Sequence, residues 1–440
     1  MTLSFAVLAC GPGSEGGQDT ADTSAATGTS DATASTGASD PATTGTSTDA
    51  PTSTTTETST GASTSTTSET STDTSTGAPT SDGFGVNDVS ILFPLPANDS
   101  DRPHRLWLVP GPGEAGPYFP LDKQDELPDL NADLPSVYPA AMVTSIRFDP
   151  CFGEDCQPQL RLVAQAVFTS QASVEMLDDA AVHLFYALAP AEVEAVVDSL
   201  AMIRDGSPVS TAGPLTVHPG LAADAAGPTG ARVQGLVVEH CREDNLVRIT
   251  TNHFAFDNWG FSRFDRGPGG VLEKQPIAGM VAEDVNQSWL RQAQQNNLDD
   301  PSGTITPAPI EGFTYLLAVD HFVDGAPVDP ALAQAAAERV LELENPSLTA
   351  ADDLDCVSCH LATQARLYGE RNGVTFAGDA QFVPPEGVDT SLVLAPELQG
   401  NLSSTIAFGW HAQFGGGNTI LVPSINQRVI NESALVAASL

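Results

Sequence analysis

Five consecutive residues carry the most specific chemistry in the chain: Cys356-Val357-Ser358-Cys359-His360. Two sulfurs three positions apart can form thioethers to the two vinyl groups on one edge of a porphyrin. A histidine directly after the second cysteine then falls over the iron as its proximal ligand. The expected cofactor is one covalently attached haem c, with Cys356 and Cys359 as attachment points and His360 on the metal. No methionine follows the motif to supply the other axial ligand, the last one being Met280. His411, in Phe408-Gly409-Trp410-His411, is the only downstream histidine and the candidate distal ligand; His321 lies upstream. Without methionine ligation, and with Asp352, Asp353 and Asp355 beside the motif, ferric iron is favoured and a low reduction potential is expected.

Other readings of the same residues stay open. A thioredoxin-like redox pair needs a depressed thiol pKa, which the run Asp352-Asp353-Leu354-Asp355 opposes, and no βαβ pattern surrounds it. A zinc site lacks an obvious fourth ligand, and adjacent Cys and His cannot easily share one tetrahedral ion. A plain structural disulfide is the simplest alternative. Of the other cysteines, Cys151 and Cys156 bracket a four-residue loop between two expected strands, where a structural disulfide is expected. Cys241 could pair with either of these, and nothing around it suggests a nucleophile. No Ser-His-Asp order, phosphate loop or paired-carboxylate motif stands out. Gly415–Gly417 lacks the Lys-Ser/Thr end of a phosphate loop and reads as a turn.

The elements that would position this chemistry give an α+β fold class: a strand-rich middle region over 84–310 and a mainly helical haem-attachment region over 311–440. Met142, Thr144, Ile146 and Phe148 alternate with Val143, Ser145 and Arg147, and Leu160, Leu162, Ala164, Ala166 and Phe168 repeat the period of two. Further strands are expected at Val89–Phe93, Arg105–Val109, Val182–Ala187, Leu246–Phe254 and Trp259–Phe264. Val233–Cys241 is read as a strand making a hairpin with Leu246–His253 through a polar turn. One helix interrupts this region, with Pro190 at its first position and Gly206 closing it. Farther on, Asp329 caps a helix starting at Pro330 and stopped before Pro346. A second helix runs through Cys359 to Tyr368, and a last one opens on Ser424-x-x-Gln427 as a capping box. Core packing is expected of Trp259, Phe261 and Trp410.

The pairing of helices before and after the motif gives residues 325–440 a resemblance to c-type cytochromes, in which such helices cross beside the haem. That resemblance implies attachment outside the cytoplasm and electron transfer. The N-terminus agrees. Leu3–Ala9 is a short apolar run ending in Val7-Leu8-Ala9-Cys10, which resembles a bacterial lipoprotein signal, with Cys10 as the lipidated residue. The signal reads as truncated over residues 1–10, because no Lys or Arg precedes Arg102. Residues 11–83 are a Ser/Thr/Gly/Asp-rich tether expected to be disordered, with an r.m.s. reach of roughly 50 Å.

Charge narrows the partners. The chain carries a formal −39, and only ten of its 56 acids lie in the first 82 residues, so the remainder holds 46 acids against 17 bases. Such a surface repels nucleic acid and anionic headgroups. No apolar run is long enough to span a membrane, so attachment would be through the lipid on Cys10, at the outer membrane or cell surface. The functional expectation is an exported, lipid-anchored, single-haem protein that transfers electrons to a redox partner or serves as a haem-bearing accessory. Two alternatives remain: a structural or binding surface lipoprotein with the motif as a disulfide, and a haem peroxidase-like enzyme. Against the second, the dihaem peroxidases carry two such motifs and this chain has one.

Overall fold

A computed structural model describes residues 83–98, 107–108, 116–120, 141–151, 156–169, 174–176, 180–255, 258–291, 301–398, 404–415 and 418–440. Cys10 and tether residues 11–82 lie outside the described residues. The described residues cluster as one compact unit of mixed helix and sheet.

Among the described residues, eleven strands form one antiparallel sheet. They are β1 (Ser90–Leu92), β2 (Trp107–Leu108), β3 (Ala141–Asp149), β4 (Gln159–Thr169), β5 (Val174–Met176), β6 (Ala181–Ala187), β7 (Leu246–Ala255), β8 (Asn258–Arg266), β9 (Leu272–Gln275), β10 (Asn286–Arg291) and β11 (Gly303–Thr306). The main path runs β1-β3-β4-β6-β7-β8-β10-β11. Two small ribbons follow, β12 (Phe322–Val323) with β13 (Ala326–Pro327), and β14 (Phe408–Gly415) with β15 (Asn418–Ile425). The helices are α1 (Val86–Val89), α2 (Pro190–Asp205), α3 (Pro219–Asp224), α4 (Pro228–His240), α5 (Pro330–Glu344), α6 (Cys356–Arg371) and α7 (Gln427–Ser439).

Both sheet faces are covered, and the alternation along each strand sorts residues between them. Leu160, Leu162, Val182, Leu184, Tyr186 and Ile249 enter one core with Val196, Leu200 and Ile203 of α2 and Val233, Leu236 and Val237 of α4. On the other face, Trp259 and Phe261 enter a second core with Ala336 and Val340 of α5 and Val357 and Leu361 of α6.

The ribbon β14–β15 docks on this second face through a buried amide. Gln165 of β4 donates from Nε2 to the Trp410 carbonyl and accepts the Trp410 N–H at Oε1, both at 2.8 Å. Ser145 donates to the Phe408 carbonyl at 3.1 Å, and the Trp410 indole N–H reaches the Phe93 carbonyl at 3.0 Å. β1 and α7 also meet, with the hydroxyls of Ser90 and Ser433 2.6 Å apart.

Two sequence expectations need correction. Val233–His240 is not a strand and makes no hairpin with Leu246–His253. It belongs to α4, which starts on Pro228 and buries Val233, Leu236, Val237 and His240, a helical spacing carried partly by β-branched residues. The polar turn behind it instead closes on itself, Asn245 accepting from the Arg242 N–H at 2.9 Å. The last helix does not open on Ser424, which remains in β15 and donates to the Ile406 carbonyl. Asn426 caps α7 by accepting from the Val429 N–H at 2.9 Å. Asp329 caps α5 and Pro190 opens α2, as the residues imply.

Replacing Gln165 with Leu leaves the Trp410 N–H and carbonyl buried without their partner. The expected cost is about 2 kcal/mol, read as a lower urea midpoint at unchanged slope. A loss too small to measure would mean that the ribbon is held by apolar contact alone.

Candidate functional site

The motif lies at the start of α6, where helix geometry places Cys356, Cys359 and His360 within the first two turns. Asp355 is buried and caps this helix, accepting from the Ser358 N–H at 2.9 Å. Gln287 of β10 fixes the same turn from the sheet, donating to Asp355 at 2.6 Å and accepting from the Val357 N–H at 2.9 Å. Gly279 lets a neighbouring loop close over it: its φ is +68°, and a Cβ there would lie 2.4 Å from the Asp353 carbonyl oxygen.

Cys356, Cys359 and His360 line one cavity of about 1010 Å³, its open mouth included. The floor is the sheet face away from α2 and α4. In register, Arg147 of β3 stands beside Arg161 of β4, Arg161 beside Phe185 of β6, and Phe185 beside Arg248 of β7. A second row runs Val163, His183, Thr250 and Arg263 across β4, β6, β7 and β8. The walls come from α6, from Arg428, Val429 and Glu432 of α7, and from Ile277, Leu354 and Phe408. Five of the chain's 17 basic side chains therefore face one cavity, against three lining carboxylates (Asp352, Asp355 and Glu432), although the whole chain carries −39.

These guanidiniums are held in place. Glu432 bridges Arg147 at 2.7 Å and Arg428 at 2.6 Å, and Arg428 also donates to the carbonyls of Leu343 and Thr349. Arg248 reaches Asp265 and Asp352, both at 2.9 Å, Arg263 reaches Asp265 at 2.6 Å, and Arg161 bonds Asp149. Arg161 and Arg248 also lie over the Phe185 ring, at 5.3 and 5.9 Å from its centre. Burial pushes the Glu432 carboxyl up, but Arg428, Arg147 and Arg161 outweigh it and hold it well below the ordinary 4.5.

Cys356 and Cys359 are free thiols, partly buried against the second core. Burial, reinforced by Asp355, pushes the Cys356 thiol up to about 12; burial and Glu432 push Cys359 up to about 11. Such thiols are poor nucleophiles at neutral pH, contrary to what a thioredoxin-like pair requires. His360 has its Nδ1 on the Thr405 carbonyl, and the Phe261 ring meets it edge-on with centres 5.1 Å apart. His183 faces it, with ring centres 6.1 Å apart. Burial, then His360, Arg161 and Arg147, lowers the His183 pKa to about 3, so its imidazole is neutral at neutral pH.

Other residues singled out by sequence lie elsewhere. His411 is buried on β14 and is not among the side chains lining the cavity. His321 stacks on Tyr315, with ring centres 4.2 Å apart. Cys151 and Cys156 form a disulfide with Cα atoms 5.6 Å apart, which leaves Cys241 as a buried free thiol. Trp259, Phe261 and Trp410 are buried in the cores. Gly416 and Gly417 lie outside the described residues. Sequence reasoning missed His183 and the arginine floor. Its available signal was the period-two placement of Arg161, His183, Phe185, Arg248 and Arg263 on expected strands.

Among the described residues, no group of three or more His, Cys, Asp or Glu side chains could hold a metal ion. A haem makes different demands, because the porphyrin supplies four of the iron's ligands. Both thiols and an imidazole border one open-mouthed space. A backbone carbonyl fixes the His360 ring as second-sphere partners of metal-bound histidines do, and guanidiniums suit a ligand's carboxylates. The residues fit the group. No helix among the described residues is long and apolar enough to cross a membrane. No family model, curated protein or solved structure matches the chain, so a functional reading has to come from the site itself.

Glu432→Gln should destabilise the protein at pH 7 by about 3 kcal/mol, because two buried guanidiniums lose their shared counter-charge. Its folded pKa is depressed, so the stabilisation is present above 4.5 and lost as pH falls below it. Denaturant midpoints of variant and wild type should therefore converge on acidification. A gap that stays constant down to pH 3 would show that the carboxylate's charge is not the stabilising element.

Proposed function

We propose that the chain is an exported, lipid-anchored protein that binds one haem c covalently and passes single electrons to a partner protein. The observation that carries the reading is the placement of the Cys-x-x-Cys-His motif at the start of α6, both sulfurs and the His360 imidazole bordering an arginine-floored cavity. Cys356 and Cys359 would hold the porphyrin edge, and His360 would ligate the iron. The haem, when bound, supplies a one-electron couple.

The protein's own residues do the rest. The Thr405 carbonyl and Phe261 orient the His360 ring. Asp355 and Gln287 fix the helix turn that presents both thiols. Arg147, Arg161, Arg248, Arg263 and Arg428 provide the positive surroundings that two propionates need in a buried setting. These arginines work against the low potential expected from the neighbouring aspartates, because positive charge near the iron favours the reduced state. The lipidated Cys10 and the tether would keep this unit at the outer membrane or cell surface, and the −39 charge suits a basic redox partner.

A pyridine haemochrome spectrum of the full chain, matured in a periplasm with c-type attachment machinery, tests the reading. The expected result is a covalent c-type spectrum in wild type and its loss in Cys356→Ala/Cys359→Ala. Absence of haem, with a Cys356–Cys359 disulfide found by mass spectrometry, would leave a surface lipoprotein whose arginine-lined cavity takes some other anion.

A further inference from the structure

We propose that His183 is the second axial ligand of the iron, facing His360 across the cavity; this rests on the haem reading above. The ring centres of His183 and His360 are 6.1 Å apart. Two imidazoles sharing one metal ion need about 6 Å between centres: a metal–nitrogen bond of about 2 Å plus about 1 Å from nitrogen to ring centre, on each side. With His360 Nδ1 engaged by the Thr405 carbonyl, the metal-binding nitrogen of that ring is Nε2.

The position of His183 suits a fixed ligand. It sits on β6, an interior strand of the sheet, in register with Val163 on one side and Thr250 on the other. A side chain on an interior strand is held more tightly than one on a loop. Competing ligands are scarce. No methionine lines the cavity, and Asp352 and Glu432 are bound to arginines. Asp355 caps α6, and His411 is not among the lining side chains. The proposal thus moves the distal role from His411, expected from sequence order, to a residue more than 170 positions before the motif, which no downstream search reaches. It also predicts a six-coordinate iron whose second ligand must leave before an external molecule can bind, which disfavours the peroxidase-like alternative.

The test uses the full-length haem-loaded protein, with electron paramagnetic resonance and near-infrared magnetic circular dichroism on the ferric form. Wild type should give a low-spin signal with the charge-transfer band of two histidine ligands. His183→Ala should lose it, turn high-spin and regain it when free imidazole is added. His183→Met should instead show the sulfur-to-iron charge-transfer band, which requires a folded protein and so separates ligand loss from misfolding. A covalently loaded His183→Ala protein that keeps the wild-type spectrum would overturn the assignment while leaving the haem reading intact. Loss of the low-spin signal in His411→Ala but not in His183→Ala would do the same. A wild-type protein without covalent haem overturns the haem reading, and the ligand assignment with it.

Discussion

The site depends on burying positive charge on the face of a sheet. On β3, β4, β7 and β8 the face opposite the α2–α4 core carries one arginine per strand, at Arg147, Arg161, Arg248 and Arg263, where an antiparallel sheet more usually meets solvent. A guanidinium taken from water needs a counter-charge and hydrogen bonds, or it costs several kcal/mol. The fold supplies them from distant places: Glu432 from the last helix, Asp352 from the approach to α6, and Asp265 and Asp149 from the strands themselves. These pairings dictate how closely α6 and α7 approach the sheet, and so where the space between them opens.

The apolar cores hold the same arrangement from outside. On the far side Leu184 and Tyr186 of β6 share a continuous core with α2 and α4. On the near side Phe261 belongs to the core beneath α5 and α6 while its ring edge meets His360. One aromatic residue therefore both packs the motif helix and orients the motif histidine. The Asn426 side chain links the remaining helix, capping α7 while donating to the Cys359 carbonyl at 3.0 Å.

Much of this was legible in the residues, and the exceptions have physical causes. The period of two at Met142–Phe148 and Leu160–Phe168 marked real strands, and Asp329 and Pro190 marked real helix starts, because each depends on local chemistry. Val233–His240 was misread because its valines favour strands, whereas its burial follows a helical spacing that only the packing against α2 rewards. His183 was visible as one residue of an expected strand, but nothing local says whether the polar side of a strand meets water or a buried cavity. That is settled by α6 and α7, which arrive much later in the chain. The order Cys-x-x-Cys-His then histidine pointed to His411, since sequence order gives distance along the chain and not across the sheet.

The contacts between the two ends of the folded unit have a kinetic consequence. Ser90 meets Ser433, Phe93 meets Trp410 and Arg147 meets Glu432, each across several hundred residues. A fold closed by such separations has high contact order and must bring its final helix home before the sheet is roofed, which slows folding. Until α7 reaches the sheet, the arginine floor stays wet and the turn bearing Cys356 and Cys359 lacks part of the wall above it. The topology therefore builds in a delay during which both sulfurs can be reached, and it ends that delay with the closing of α7.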